Sequence, residues 1–350
     1  MYFSIFFLLP IICAFTLYPV KKMHISSYIY TTKKSVDFST KIKHFNKLIR
    51  SESILSTSLL CFTGGFIINP SLITLFTTPS FIISTINTIT IMSSSMIIND
   101  IFDIETDKLN SPTRPLVNGD VSKKEAFVYL FGLLSFTEFL NMRFLSSNLQ
   151  NIVHFAILNI LLYTPIYKRI PFIKNIFCAA VVSFSIFYNA LSATKGLIEL
   201  NPRFPILSVT LSILFFSVWY NEVLLDMKDI EGDRENNIYT IPVLYGPKNA
   251  WIFAFFLLYF NIISNTLSLS YLFGRSIGMI LPLIFSPIVY DCLSIPRESF
   301  SKESIKHALK NTKNPLFIFV LYLCSLSLYN SGFTFSFQEV HWLEIASVLF

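Results

Sequence analysis

The chain has 350 residues, 27 Lys and Arg against 21 Asp and Glu for a net charge of +6, 53% hydrophobic residues and 14% charged ones. Ordinary globular chains carry about 25% charged residues, and a mean hydropathy of +0.59 excludes disordered, collagen-like and disulfide-scaffold proteins in favour of a polytopic membrane protein. The basic residues are parted by apolar runs and form no stripe with stacking aromatics, which argues against a nucleic-acid partner.

Residues 2–20 form an uncharged apolar stretch followed at once by Lys21 and Lys22 and a Ser/Thr/Lys-rich segment. In a normal signal peptide the charge precedes the apolar core. The order here points to an anchor or an organelle presequence occupying 1–45. Nine apolar stretches then follow at 51–70, 74–98, 126–142, 149–167, 175–194, 204–225, 250–272, 276–293 and 315–331. Each is about 20 residues, the length that spans a bilayer. They predict an all-α bundle of nine transmembrane helices over 46–331, with 332–350 as a tail. Pro165 and Pro282 fall inside spans, which a bundle tolerates when neighbours satisfy the freed carbonyls.

Alternate loops divide the Lys and Arg residues 23 to four, the poor face having only Arg143, Lys195, Arg203 and Arg275. Such a split supports the nine-span count and assigns the rich face to the cytosol, stroma or matrix. Loop 296–313 reads as a short amphipathic surface helix without chemistry. Glu138 and His154 read as packed polar residues facing the bundle interior. All five cysteines lie in apolar stretches with no CxxC pair, as buried small hydrophobes do.

The second span runs into Asn99-Asp100-Ile101-Phe102-Asp103-Ile104-Glu105-Thr106-Asp107, and the sixth into Asp226-Met227-Lys228-Asp229-Ile230-Glu231-Gly232-Asp233-Arg234. In both, three Asp stand at relative positions 0, 3 and 7, a single narrow stripe on an α-helix. Parity puts both clusters on one membrane side, so six carboxylates converge. Stacked like charges near a bilayer require a positive partner. Hard oxygen donors completed by phosphate suit Mg²⁺ better than zinc or copper, which implies a phosphate-bearing substrate.

The same face supplies Arg50, Arg114, Lys168, Arg169, Lys174 and Arg234, forks and point charges suited to a diphosphate. For Arg50, Arg169 and Lys174 taken singly, the positive-inside bias is the better explanation. Either acidic cluster alone is equally a solvated connector; their shared spacing argues against coincidence. A cation or metabolite transporter is the alternative from another class, although its acids would line a path at the midplane rather than sit at helix ends.

The first motif, NDIFDIETDKLNSPTRPLVNGDVS, the second, DMKDIEGDRENNIYTIPVLYG, and the stretch YTPIYKRIPFIKN at 163–175 together resemble the UbiA superfamily of intramembrane prenyltransferases, in matching order from about Lys47 to Asn330. The resemblance implies nine helices around a central apolar chamber that takes a prenyl diphosphate through Mg²⁺ and passes its prenyl group to a lipophilic acceptor. Asp100, Asp103, Asp107, Asp226, Asp229 and Asp233 would hold the metal. Asp103, Asp107, Asp229, Asp233 and Lys168 would carry catalysis, with Asn99, Arg114, Lys168, Arg169, Arg50 and Arg234 contacting substrate. The EGDR core and TIPVLYG are similar to the branch that prenylates archaeal glycerol lipids, chlorophyllide and homogentisate. A geranylgeranyl-like donor and a glycerol-lipid phosphate or chlorophyllide-type acceptor are implied, with an aromatic quinone or tocopherol precursor as the alternative. No obligate protein partner is implied.

Overall fold

The computed structural model describes residues 37–194, 198 and 201–329; the expected amino-terminal anchor or presequence up to residue 36 and the tail from 330 lie outside them. Among the described residues the regular elements are helices, in the order α1 (Phe38–Leu48), α2 (Glu52–Ile68), α3 (Leu72–Thr77), α4 (Pro79–Phe102), α5 (Ile104–Asn110), α6 (Lys123–Phe144), α7 (Ser147–Tyr163), a 3₁₀ turn (Tyr167–Arg169), α8 (Ile173–Ala193), α9 (Phe204–Lys228), α10 (Ile230–Glu235), α11 (Ile241–Phe273), α12 (Arg275–Gly278), α13 (Ile280–Arg297), α14 (Lys302–Asn311) and α15 (Lys313–Tyr329).

Local chemistry sets several boundaries. Ser71 caps α3 by accepting from the Thr74 N–H at 3.3 Å, and Pro79 opens α4, a position where its missing N–H costs nothing. The α6 start is a capping box: Ser122 Oγ accepts from the Glu125 N–H at 3.3 Å and Glu125 Oε2 accepts from the Ser122 N–H at 2.8 Å. Within α11, Gly246 takes φ 81° ahead of Pro247 and divides a short first segment from the long helix. Pro165 falls in the turn after α7 and not inside a span.

Six helices among the described residues are long and apolar enough to cross a membrane, and a seventh span arises if α1 and α2, bent by 52° at their junction, are taken as one. The chain is thus an all-helical, multi-pass membrane protein. The two expected spans short of that criterion are α6, which includes Lys123, Lys124, Glu125, Glu138 and Arg143, and α7, which has 17 residues.

Helix α9 packs against α8, α11 and α14, α2 against α8 and α15, and α4 against α6, α7 and α8. Lipid tails are as apolar as leucine, so helix association in a bilayer rests on close packing and interhelical hydrogen bonds rather than on hydrophobic gain. Both are present. Tyr220, Leu207, Ile213 and Phe285 are fully buried in the largest core cluster, while Thr90 and Thr137 share a 2.6 Å hydrogen bond between α4 and α6. Asn189 donates to Thr88 Oγ1 at 3.0 Å between α8 and α4, and Asn261 to Ser217 Oγ at 3.0 Å between α11 and α9.

At one end of the bundle Asn201 donates to the Ile68 carbonyl, Arg203 Nε to the Ser327 carbonyl and Ser327 Oγ to the Ile67 carbonyl. These bonds gather the ends of α2 and α15 with the start of α9, the end expected to be poor in basic residues. Loop 296–313 contains α14, which buries Ser304, Ile305 and Ala308. Glu138 Oε1 and His154 Nε2 lie 2.6 Å apart across α6 and α7, each partly exposed, so the two expected packed polar residues partner one another. Cys61 and Cys292 are buried thiols, and Cys178 and Cys324 are half-buried.

Candidate active site

Each acidic motif is built over a helix junction. Helix α4 ends and α5 begins at Asp103, with φ −94° and ψ 11°, and α9 ends and α10 begins at Asp229, with φ −101° and ψ 12°. The expectation of one straight helical stripe is corrected here: the middle Asp of each motif leaves helical geometry, and the break spares the chain an uninterrupted ladder of like charges. The consequence is the same in both motifs. The first and last Asp are buried, with Asp100 and Asp226 each 2% exposed, Asp107 5% and Asp233 6%, whereas the side chains of Asp103 and Asp229 remain 14% and 27% open.

The short helices α5 and α10 pack against each other, which joins the two motifs at one end of the bundle. Contact is close enough that a Cβ on Gly232 would stand 2.4 Å from Asn110 Oδ1. A larger residue there would have to push the Asn110 amide aside, so glycine lets the second motif approach the first without that displacement.

Cations from three separate parts of the chain enter between the carboxylates. Arg50 sits in the α1–α2 link with φ 51°, and its Nη2 donates to Asp100 Oδ1 at 3.0 Å. Arg114 Nη1 donates to the same oxygen at 2.5 Å and lies 2.9 Å from Asp107 Oδ2, out of line for a hydrogen bond. Lys168, on the 3₁₀ turn, donates to Asp103 Oδ2, and its charge also acts on Asp107 and Asp233. Lys174 donates to Asp226 Oδ1, whose other oxygen accepts from Asn175 Nδ2 at 2.9 Å. Lys228 Nζ is 3.3 Å from Asp229 Oδ2, and Asn99 Oδ1 accepts from Thr164 Oγ1.

Arg50 and Lys174, which charge bias alone had explained, are therefore direct partners of the first Asp of each motif. Arg234 is exposed, and among the described residues no carboxylate pairs with it. The Arg169 side chain lies outside the described residues. Asn110, Asn175 and Gly232 are not singled out in the sequence although each stands in a quoted motif, Asn110 in the first, Gly232 in the second and Asn175 beside Lys174 at the end of the 163–175 stretch.

Burial pushes the Asp107 carboxyl up to about 6 although Arg114 opposes the rise, and burial pushes Asp233 up to about 6 against Lys174. Asp107 Oδ2 and Asp229 Oδ1 are buried atoms without a hydrogen-bond donor. The carboxylates are thus under-compensated even with the lysines and arginines in place, and the site has room for more positive charge. No three of the described His, Cys, Asp and Glu residues are close enough to ligate one ion together. Magnesium takes one or two carboxylates per ion and completes its shell with phosphate and water, unlike metals held in an all-protein cage. The donor set fits an ion completed by substrate.

Comparison with known proteins adds to this geometry. The model of the UbiA prenyltransferase family matches residues 58–300. A digeranylgeranylglyceryl phosphate synthase of Methanococcus maripaludis strain C7 is 27% identical over 281 residues, which are 78% of this chain and 93% of that one. In a structure described as giving insights into the biosynthesis of digeranylgeranylglyceryl phosphate synthase in membranes, the same fold recurs at TM-score 0.61 and 22% identity, over 83% of this chain and 99% of the other. A UbiA homologue from Archaeoglobus fulgidus, solved bound to GPP and Mg²⁺, matches at TM-score 0.60 and 19% identity over 81% and 99%.

Proposed function

The chain belongs to the UbiA prenyltransferase family, and from this we propose that it transfers a prenyl group, geranylgeranyl or similar, from its allylic diphosphate to the hydroxyl of a glycerol-lipid phosphate, releasing diphosphate. The observation that carries the reading is the packing of α5 on α10, which brings the two aspartate motifs together with Lys168 hydrogen-bonded to Asp103 and Lys174 to Asp226. Cations held at two joined acidic clusters mark where a diphosphate with its counter-ions belongs. The acceptor assignment draws on the relatives named digeranylgeranylglyceryl phosphate synthase.

As the allylic C–O bond lengthens, negative charge builds on the departing diphosphate. Lys168 and Arg114 would lie against that charge and stabilise it more than the ground state, with Asn99 and Arg50 lining the same mouth. Arg169 and Arg234 belong to the outer electrostatic rim of this reading. Mg²⁺ supplies Lewis-acid neutralisation of the leaving group when bound. Asp103 and Asp229, the open carboxylates, would be its principal holders, with Asp107 and Asp233 behind them. Asp100 and Asp226 also belong to this acidic set and would act chiefly through Arg50, Arg114 and Lys174, which they orient. The allylic cation then needs shelter from water until the acceptor oxygen attacks. A central apolar chamber would give it.

Among the described residues nine helices have 17 residues or more, and we read them as nine spans with the acidic end facing the cytosol, stroma or matrix, where the basic loops lie. Which organelle membrane holds the protein is open. The deciding measurement incubates purified protein with labelled geranylgeranyl diphosphate, Mg²⁺ and a panel of glycerol-lipid phosphates, chlorophyllide and aromatic acids, and reads product mass and diphosphate release. A prenylated glycerol lipid is expected. A chlorophyllide or aromatic product would reassign the acceptor, and absence of any diphosphate release would favour transport instead.

A further inference from the structure

One ionisable group in this region belongs to neither aspartate motif and has no task in the transfer described above. Glu222 stands on α9 four residues before Asp226, so the two share a face, with Glu222 one turn deeper in the membrane. It is part-exposed, and the charged groups acting on it are Lys174, Asp226 and Lys168, so its open side is the side of the acidic motifs. Around it stand Lys174, Cys178, Lys168 and Asp226. The Cys178 thiol also donates to Tyr163 OH at 3.0 Å, and Tyr163 and Phe177 stack at 5.4 Å beside this patch.

Ionisable residues inside membrane spans are costly and mark substrate paths or paired interior sites. Neutralising Lys174 does not account for Glu222, because Lys174 already donates to Asp226. A second carboxylate makes the pair into an anionic trio. Nor does a carboxylate suit the prenyl diphosphate, which it repels. What a part-open carboxylate beside the acidic motifs does accept is a hydrogen bond from a hydroxyl.

We propose that Glu222 binds the hydroxyl of the acceptor lipid, holding its oxygen one helical turn below the diphosphate site. This rests on the prenyl-transfer reading and deepens it by naming the acceptor subsite. Glu222 becomes a substrate-binding residue whose loss leaves the donor half of the site intact. A site that hydrogen-bonds a substrate hydroxyl also discriminates against analogues lacking it, because its polar group is then left unpaired.

The test measures steady-state kinetics of the full-length protein with geranylgeranyl diphosphate and geranylgeranylglyceryl phosphate, varying each in turn. Glu222→Ala is expected to raise the acceptor KM at least tenfold while the donor KM stays within twofold, and Glu222→Gln, which keeps an accepting oxygen, is expected to recover most of the loss. An unchanged acceptor KM, or two KM values moving together as loss of a partner for Lys174 would produce, overturns the proposal. Should Glu222→Ala not fold, Glu222→Leu, which keeps the bulk and removes both accepting oxygens, decides by the same split: a rise confined to the acceptor supports the proposal, any other pattern rejects it. A wild-type protein that forms no prenylated product at all defeats the underlying function instead, so the two failures are separable.

Discussion

In the proposed reaction Asp103 and Asp229 would carry the metal, because each is the open member of its motif and each sits where a helix breaks. Their neighbours Asp100 and Asp226 are committed to Arg50, Arg114 and Lys174. Removing Asp103 or Asp229 takes away only the part-open pairs with Lys168 and Lys228, whereas truncating Asp100 would leave Arg50 without its carboxylate and Arg114 with Asp107 alone, the kind of change that costs about 3–5 kcal/mol in a buried pair. Asp103→Ala and Asp229→Ala are therefore expected to lower prenyl transfer by about 100-fold or more, the scale of losing one electrostatic stabiliser, with a melting temperature in detergent close to that of the parent. Asp100→Ala should lose both activity and thermal stability. Comparable activity in parent and Asp103→Ala would remove that residue from the reaction.

At the scale of elements, the joining of the motifs depends on α5 and α10, two short helices that no apolar periodicity announces. Their contact is set by Gly232 against Asn110, where an added methyl must displace a side-chain amide. Gly232→Ala is expected to lower activity by about tenfold through misplacement of the second motif, since an error of 1 Å in a catalytic constellation costs up to about 100-fold. Adding Asn110→Ala should restore most of the loss, because the two positions share one contact and do not add. If the double variant is no better than Gly232→Ala alone, the contact is not what aligns the motifs.

Over the whole molecule, Arg50, Arg114, Lys168 and Lys174 meet both acidic clusters at one end, and the Asn201, Arg203 and Ser327 bonds close the other. That arrangement gives a topological expectation. Lys306→Cys, on exposed α14, and Arg275→Cys, between α11 and α13, should react with an impermeant maleimide from opposite sides of sealed vesicles, and labelling from one side would break the parity of the spans between them.

Hydropathy sufficed for the membrane class, because a chain of this apolarity has no soluble way to cover itself, and the paired 0/3/7 aspartates identified the end where charge collects. The resemblance to the family also singled out Lys168 and Arg114. It could not foresee that Asp103 and Asp229 interrupt their helices, or that Arg50 and Lys174 are dedicated partners of Asp100 and Asp226. Those facts follow from which helices become neighbours, and neighbourhood in a bilayer is decided by side-chain packing and interhelical polar contacts that leave no periodic trace along the chain.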